Sequence, residues 1–356
     1  MKWTRAFSLL LALIMALCVL AACNKAPDLS GPGDKAGEFS IPTEYSYSAE
    51  VDGVKISAKI NVTFKENELS LVVHYEQSKG EFSQTETEKR SYLLDEFGNV
   101  VREVAYRTDG KIRYLEDYFY GAYGARTEYR SHGVNTAPEE YTAYTAEGDT
   151  LTYTTYNRWG SGSTGKYTYT YDEQGRLLSE TTNYGSTTLY EYDDKGNLTK
   201  TTNTYGDEEP NVEEIKNAYS GSNLKSITRT EIDDEGVEHE IVISVGSYKS
   251  FKMTKGQYVC IMLMTMNNDP DMFRGEDAGS GEIRYADGTV YKKTEQNGNT
   301  TKETFYLPEG KLDYICETVY ENGKLRSKTI TGADGEVSLS LNFDANGDPI
   351  EPSYDY

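Results

Sequence analysis

The stretch that decides the fold is YTYTYDEQGRLLSETTNYGSTTLYEYDDKGNLTK, residues 167–200. Moved 21 residues along, it lands on itself. Tyr169, Tyr171, Asp172, Gly175, Leu177, Thr181 and Tyr184 fall on Tyr190, Tyr192, Asp193, Gly196, Leu198, Thr202 and Tyr205. Tyr167, Tyr169 and Tyr171 alternate with Thr168 and Thr170, which predicts a strand carrying rings on one face and hydroxyls on the other. The Asp-x-x-Gly after each run reads as a turn. The carboxylate accepts backbone amides two or three residues on, and the glycine takes the left-handed conformation that lets the next strand return.

Working outward, apolar-Asp-x-x-Gly recurs loosely at residues 94–98, 232–236 and 343–347. Asp109-Gly110, Asp287-Gly288, Asn322-Gly323 and Asp334-Gly335 suit two-residue hairpin turns. In the last third, glycines at 288, 298, 310, 323, 335 and 347 leave room for one strand between turns. Tyrosine supplies most of the aromatic bulk, 31 residues against 10 Phe and 2 Trp. Because Tyr buries its ring and keeps its hydroxyl wet, this predicts a thin core. The expected fold is all-β, an elongated antiparallel meander of repeated β-hairpins with a thin Tyr-rich core.

The chain opens with Lys2 and Arg5, an apolar run over residues 6–22, and Leu20-Ala21-Ala22-Cys23. These are the parts of a secretory signal. An uncleaved membrane helix is the competing reading, but 17 residues is near the lower length for a span and a polar stretch follows at once. Residues 23–40, rich in Gly, Pro, Ser and charge, read as a flexible tether. Two hairpin-repeat regions are expected, 41–207 and 224–356. Residues 208–223, with Pro210 and an acidic cluster, form a possible boundary loop between them. The most apolar later stretch, YVCIMLMTM at 258–266, reads as a central buried strand, and residues 267–281 as a loop.

Two resemblances add to this reading. The Leu-Ala-Ala-Cys ending resembles the lipobox of bacterial lipoproteins, which implies a signal peptide over 1–22 and a diacylglycerol on Cys23. It further implies a membrane anchor at the cell envelope, facing outside the cytoplasm. The repeat resembles the YD repeat of the RHS family, whose unit runs roughly Y-x-Y-D-x-x-G-R/N-L. Tyr169, Tyr171, Asp172, Gly175, Arg176 and Leu177 match one unit, and Tyr190, Tyr192, Asp193, Gly196, Asn197 and Leu198 match the next. The family resemblance implies an extracellular hairpin array. YENGKL at 320–325 is similar to the hairpin strands of MORN-related repeats.

The formal net charge of −22 becomes −24 once Lys2 and Arg5 leave with the signal, which disfavours nucleic acid and anionic lipid as partners. His74, His132 and His239 lack metal-ligand spacing, so no metal, cofactor or catalytic residue is assigned. Met262, Met264 and Met266, with Met253 and Met272 near, suggest a Cu(I) site but read more simply as core filler. Asp344-Ala-Asn346-Gly-Asp348 reads as a hairpin turn before a calcium loop. Cys260 and Cys316 read as small hydrophobic residues in separate strands, in preference to a disulfide.

A binding surface is the remaining class. Tyr167, Tyr169, Tyr171, Tyr190 and Tyr192, with Trp159 nearby, would make an aromatic platform for a cell-wall or host glycan or a protein partner. The competing reading is that the same rings cover a thin core. The expected function is thus a non-catalytic binding or structural module, lipid-anchored through Cys23. The alternative is a cell-envelope carbohydrate-active hydrolase using two carboxylates.

Overall fold

The structure, a computed structural model, describes residues 36–51, 53–206, 208–221, 223–232, 238–267 and 270–350. The signal peptide, Cys23, most of the tether and much of the 232–236 turn lie outside the described residues. The described end of the tether, Gly37–Pro42, is strand β1.

The hairpin meander closes on itself. Sixteen strands, β2 (Glu44–Val51) through β17 (Glu238–Val245), run in sequence order and are antiparallel throughout. β17 returns to β2 through Ile243 opposite Tyr47 and Val245 opposite Tyr45. An open ribbon of such strands would expose two unpaired edges, and closure removes both. Within the expected boundary loop, 208–223, lies a strand of the ring: β15 (Asn211–Ser220) pairs with β14 (Leu198–Tyr205) before it and β16 (Asn223–Ile232) after it.

One apolar cluster draws on nearly every strand of the ring, so it lies inside the barrel. The side-chain alternation of β3 (Val54–Lys65) shows the division. Val54, Ile56, Ala58, Ile60, Val62 and Phe64 are buried, while Lys55, Lys59, Thr63 and Lys65 are exposed.

The lumen is filled by a helix, α1 (Lys255–Asn267), where the sequence suggested a central strand. Tyr258 to Met264 are all buried, and a helix apolar all round belongs in an interior. A strand there would find no unpaired edge to join, whereas a helix satisfies its own backbone. Its start carries a reciprocal cap: Thr254 Oγ1 accepts from Gln257 N at 3.1 Å, and Gln257 Oε1 accepts from Thr254 N at 3.0 Å. The methionine row fails with the strand, because Met262 and Met264 are two residues apart on a helix and do not share a face. β1 pairs with β18 (Tyr248–Met253) beside the helix, and Phe39 stacks on Tyr258 at 4.8 Å.

The C-terminal six strands, β19 (Lys292–Asn297), β20 (Thr300–Tyr306), β21 (Leu312–Glu321), β22 (Lys324–Gly332), β23 (Val337–Phe343) and β24 (Pro349–Ile350), form a separate antiparallel sheet. It covers the outer face of β5 (Phe82–Leu94), β6 (Val100–Tyr106), β7 (Ile112–Tyr120), β8 (Arg126–Gly133) and β9 (Glu140–Glu147). Cys260 in α1 and Cys316 in β21 are free and belong to the two different clusters.

Candidate functional site: the strapped end of the barrel

The Asp-x-x-Gly turns share one geometry, which refines the expected one. Asp95 Oδ1 accepts from Phe97 N at 2.9 Å and Asn99 N at 2.8 Å, two and four residues on. Asp172 takes Gln174 N and Arg176 N, Asp193 takes Lys195 N and Asn197 N, and Asp344 takes Asn346 N and Asp348 N in the same way. The glycine of each turn is left-handed, with φ from 80° to 91°. Each Asp amide donates to the carbonyl four residues on, as in a hairpin whose type I turn is followed by a glycine bulge. Asp109-Gly110, Asp287-Gly288 and Asp334-Gly335 close in this longer form too. Among those four expected two-residue turns, only Asn322-Gly323 is one, with φ of 53° and 77° between paired Glu321 and Lys324.

Because the meander alternates direction, the turns at 95–99, 122–124, 172–176 and 193–197 all lie at one end of the barrel. Residues 273–286 cross three of them as a strap. Arg274 N donates to Gly175 O at 2.9 Å, Gly275 N to Asn99 Oδ1 at 2.8 Å, Gly279 N to Asp95 Oδ2 at 2.8 Å, and Arg284 N to Asn67 Oδ1 at 3.1 Å. Gln257 Nε2 of α1 donates to Asp95 O at 3.0 Å. Contact is close enough that a Cβ on Gly98 would sit 2.3 Å from Gly256 O, and one on Gly175 2.3 Å from Arg274 O. Burial pushes the Asp95 carboxyl up, against the pull of the donors around it.

The strap leaves a cleft of about 200 Å³ lined by Phe97, Tyr123, Tyr171, Glu173, Lys255 and Arg274, among others. At its mouth Tyr123 is 80% exposed and held at φ 58°, a left-handed backbone that a bulky residue adopts at a cost. Arg274 lies over the Tyr171 ring at 4.6 Å, and Tyr171 donates to Asp271 O at 3.1 Å. Tyr169 is buried and donates to Asp271 Oδ2 at 3.3 Å. Burial, and then the Asp271 charge, keep its hydroxyl well above the usual phenol range.

The six residues proposed from sequence as an aromatic face are not one exposed platform. Tyr167, Tyr169, Tyr171, Tyr190 and Tyr192 pack on the lumen cluster, with Tyr192 donating to Leu177 O at 2.7 Å. Their alternation was right, but closure turned the ringed side inward and left threonines outside. Thr150 and Thr168 bond at 3.2 Å on that outer face, and Thr170 and Ser179 at 2.6 Å. Trp159 is 57% exposed under Arg158, at the far end of β11 (Gly160–Tyr171) from Tyr171. Only Tyr171 reaches the cleft. Tyr123, Arg274 and Glu276 carried no sequence signal, since the strap that gathers them bonds to turns about a hundred or more residues away. Lys255 and Gly256 stand in the Thr-x-x-Gln helix cap, a local signal that the strand reading of 258–266 passed over.

Residues 171–208 match the RHS Repeat family model. No curated protein matches the sequence. Among solved structures, the chain is similar to a porin-like protein from Bacteroides uniformis at 7% identity and TM-score 0.31, covering 59% of this chain and 98% of that one. It is also similar to TcdB2-TccC3-TEV at 11% identity and TM-score 0.23, covering 83% of this chain and 20% of that one. A Photorhabdus luminescens Tc holotoxin pore gives 10% identity and TM-score 0.15, again covering 83% of this chain and 20% of that one. The chain therefore spans about a fifth of the length of those toxin chains. The segment 171–208 carries RHS repeats within an all-β hairpin module.

Proposed function

We propose that this β-repeat module is exported, lipid-anchored at Cys23 on the cell envelope, and binds a glycan or protein partner through the strapped end without catalysis. The single observation that carries the binding reading is Tyr123. An exposed ring held in a costly backbone conformation beside a cleft is the arrangement expected where a side chain is presented to a ligand. Around it, Glu173 and Glu276 supply hydrogen-bond acceptors and Lys255 donors, which suits a hydroxyl-rich ligand stacked on a ring. The anchored reading is supported by polar outer faces such as that of β3, where a membrane-spanning barrel would present apolar residues to lipid.

The test is retention of the mature chain on peptidoglycan and host glycans, compared with Tyr123→Ala at unchanged melting temperature. Retention lost in the variant supports the site, and retention unchanged removes it. Release of reducing sugar that disappears in Glu173→Gln would replace binding with the hydrolase reading. For the anchor, Cys23→Ala abolishes labelling by a lipid analogue and releases the protein from the membrane fraction.

A further inference from the structure

At the end opposite the strap the barrel wall is uneven. β4 (Glu68–Lys79) and β5 are 12 and 13 residues long but β6 has 7, so β5 outruns the strand beside it. Pairing with β4 continues unshifted to Lys79 opposite Phe82, whereas pairing with β6 stops at Lys89 opposite Tyr106. Leu94 N donates to Asn67 O on the β4 side at 2.9 Å, and Asp95 N to Asn99 O on the β6 side at 2.9 Å. Backbone groups alternate in direction along a strand, so the even-numbered residues of β5 bond to β4 and the odd-numbered ones face the other way. Leu93, Ser91 and Lys89 thereby meet β6. Ser83, Thr85 and Thr87 lie beyond it: among the described residues no strand, turn or side chain bonds to their amides or carbonyls. All three are exposed. The result is an open β-edge about 20 Å long, in line with β6 and able to take one more strand.

The rim frays elsewhere, with weaker edges. β11 is unpaired toward β12 (Leu177–Thr182) over residues 160–165, where Gly160, Gly162 and Gly165 disfavour a strand. β17 and β2 part beyond Ile243 and Tyr47, and there two edges face each other. The β5 edge has Thr at two of its three outward positions and neither proline nor bulge, two usual guards of an exposed strand. Its guard is charge. Glu86 and Glu88 share the lumen face with Tyr92 and Leu94, and among the described residues neither has a basic partner. Glu88 accepts only the Tyr75 hydroxyl, at 3.2 Å. Burial, and then the Glu88 charge, push the Glu86 carboxyl up. Arg90, next on that face, is held by Glu103 at 3.0 Å, and Lys89 is turned outward over the Tyr106 ring at 4.3 Å. Paired carboxylates beside an open edge turn away an acidic strand, including a second copy of this chain of net charge −22, and favour one with cations at alternate positions.

We propose that the free edge of β5 receives an extended basic peptide segment by antiparallel β-addition, its backbone pairing with Ser83, Thr85 and Thr87 and its Lys or Arg side chains meeting Glu86 and Glu88. The edge lies at the other end of the barrel from the strapped cleft and stands or falls apart from it. The test is fluorescence anisotropy of labelled peptides titrated with the mature chain. The probes are Lys-Thr-Lys-Thr-Lys-Thr-Lys, its glutamate counterpart, and a copy N-methylated at its three threonines, which keeps the charge and removes the amides that meet β5. The expected result is saturable binding of the first peptide alone, with a Kd of about 1 mM or tighter. Thr85→Pro removes one edge amide while sparing the β4 ladder, and it weakens binding about tenfold or more. Glu86→Gln with Glu88→Gln does the same through charge, and Tyr123→Ala changes nothing. An unchanged melting temperature shows that each variant is folded. The proposal is overturned if the first peptide fails to bind by about 1 mM, if the N-methylated or glutamate peptide binds as tightly, or if binding survives Thr85→Pro. Self-association of the chain that Thr85→Pro abolishes would assign the edge to a second copy and overturn it as well.

Discussion

Strands β5 to β7 are buried on both faces, and the two faces are built differently. Toward the lumen, Tyr92, Leu94, Val100 and Tyr118 join the apolar cluster around α1. Toward the C-terminal sheet, Leu93, Arg102, Asp117, Arg130, Tyr141 and Tyr156 oppose one another in a single cross-strand row whose charges alternate. Arg102 is fully buried, holding Asp117 Oδ1 at 2.6 Å and Asp313 Oδ2 at 2.8 Å across the seam. Tyr291 and Tyr314 each donate to Asp117 at 2.8 Å, and Lys328 reaches across to Glu128 at 2.5 Å. Apolar contacts such as these accept many packings of similar volume, and the Arg90–Glu103 pair on the lumen side lies within the barrel wall, whereas the seam's buried charge layer is satisfied in one docking position. The lumen thus supplies burial energy, and the seam fixes where the second sheet sits.

The comparison is broken most severely at the seam. Arg102→Leu leaves Asp117 and Asp313 buried without their cation and is expected to cost about 3–5 kcal/mol in urea unfolding. Replacing all three together by apolar residues recovers most of that loss. If Arg102→Leu costs no more than a surface change, the seam does not hold the sheet. On the lumen side, Leu263→Ala in α1 is expected to cost about 2–5 kcal/mol by opening a cavity, with the seam row unperturbed.

The turns give a finer contrast. Gly347→Ala meets open space and bears only the left-handed backbone penalty, about 1–2 kcal/mol. Gly98→Ala has the same φ but collides with Gly256 O, adding about 1–3 kcal/mol of overpacking. Equal losses would show that the strap does not press on the turn.

A further contrast is in pH dependence. Burial opposes ionisation of Asp117, but Arg102 holds its carboxyl at about 2, and Arg130 and Lys328 hold the buried Glu128 at about 2. Their folded pKa values lie below the unfolded ones, so this stability is present above the ordinary carboxylate range and is lost as pH falls toward 2. Glu103 on the lumen side behaves oppositely, because burial pushes it up to about 7. Its contribution declines as pH rises from about 4.5 to 7. Melting curves from about pH 2 to about pH 7 should show both limbs, and Glu103→Gln should flatten only the upper one.

Much of this was legible in the residues themselves. Tyr169, Tyr171 and Asp172 announce strand and turn because period-2 alternation and the Asx hydrogen bonds are local. Thr254 and Gln257 announce a helix start in the same local way, but the following run is apolar on every side and has no period to separate helix from buried strand. Arg102, Asp117, His132 and Asp313 gave no signal, since their partners lie up to 211 residues away in the chain.

The sequence by itself determined an all-β chain of repeated hairpins, the position and chemistry of its turns, and its acidic, Tyr-rich composition, because each follows from contacts within a few residues. Tertiary structure alone decided that the meander closes, that the tyrosine face turns inward, that residues 258–264 fill the lumen as helix, and that a charged layer carries a second sheet. Those outcomes depend on which distant surfaces are left to cover once the local elements have formed, and no short window of residues contains that information.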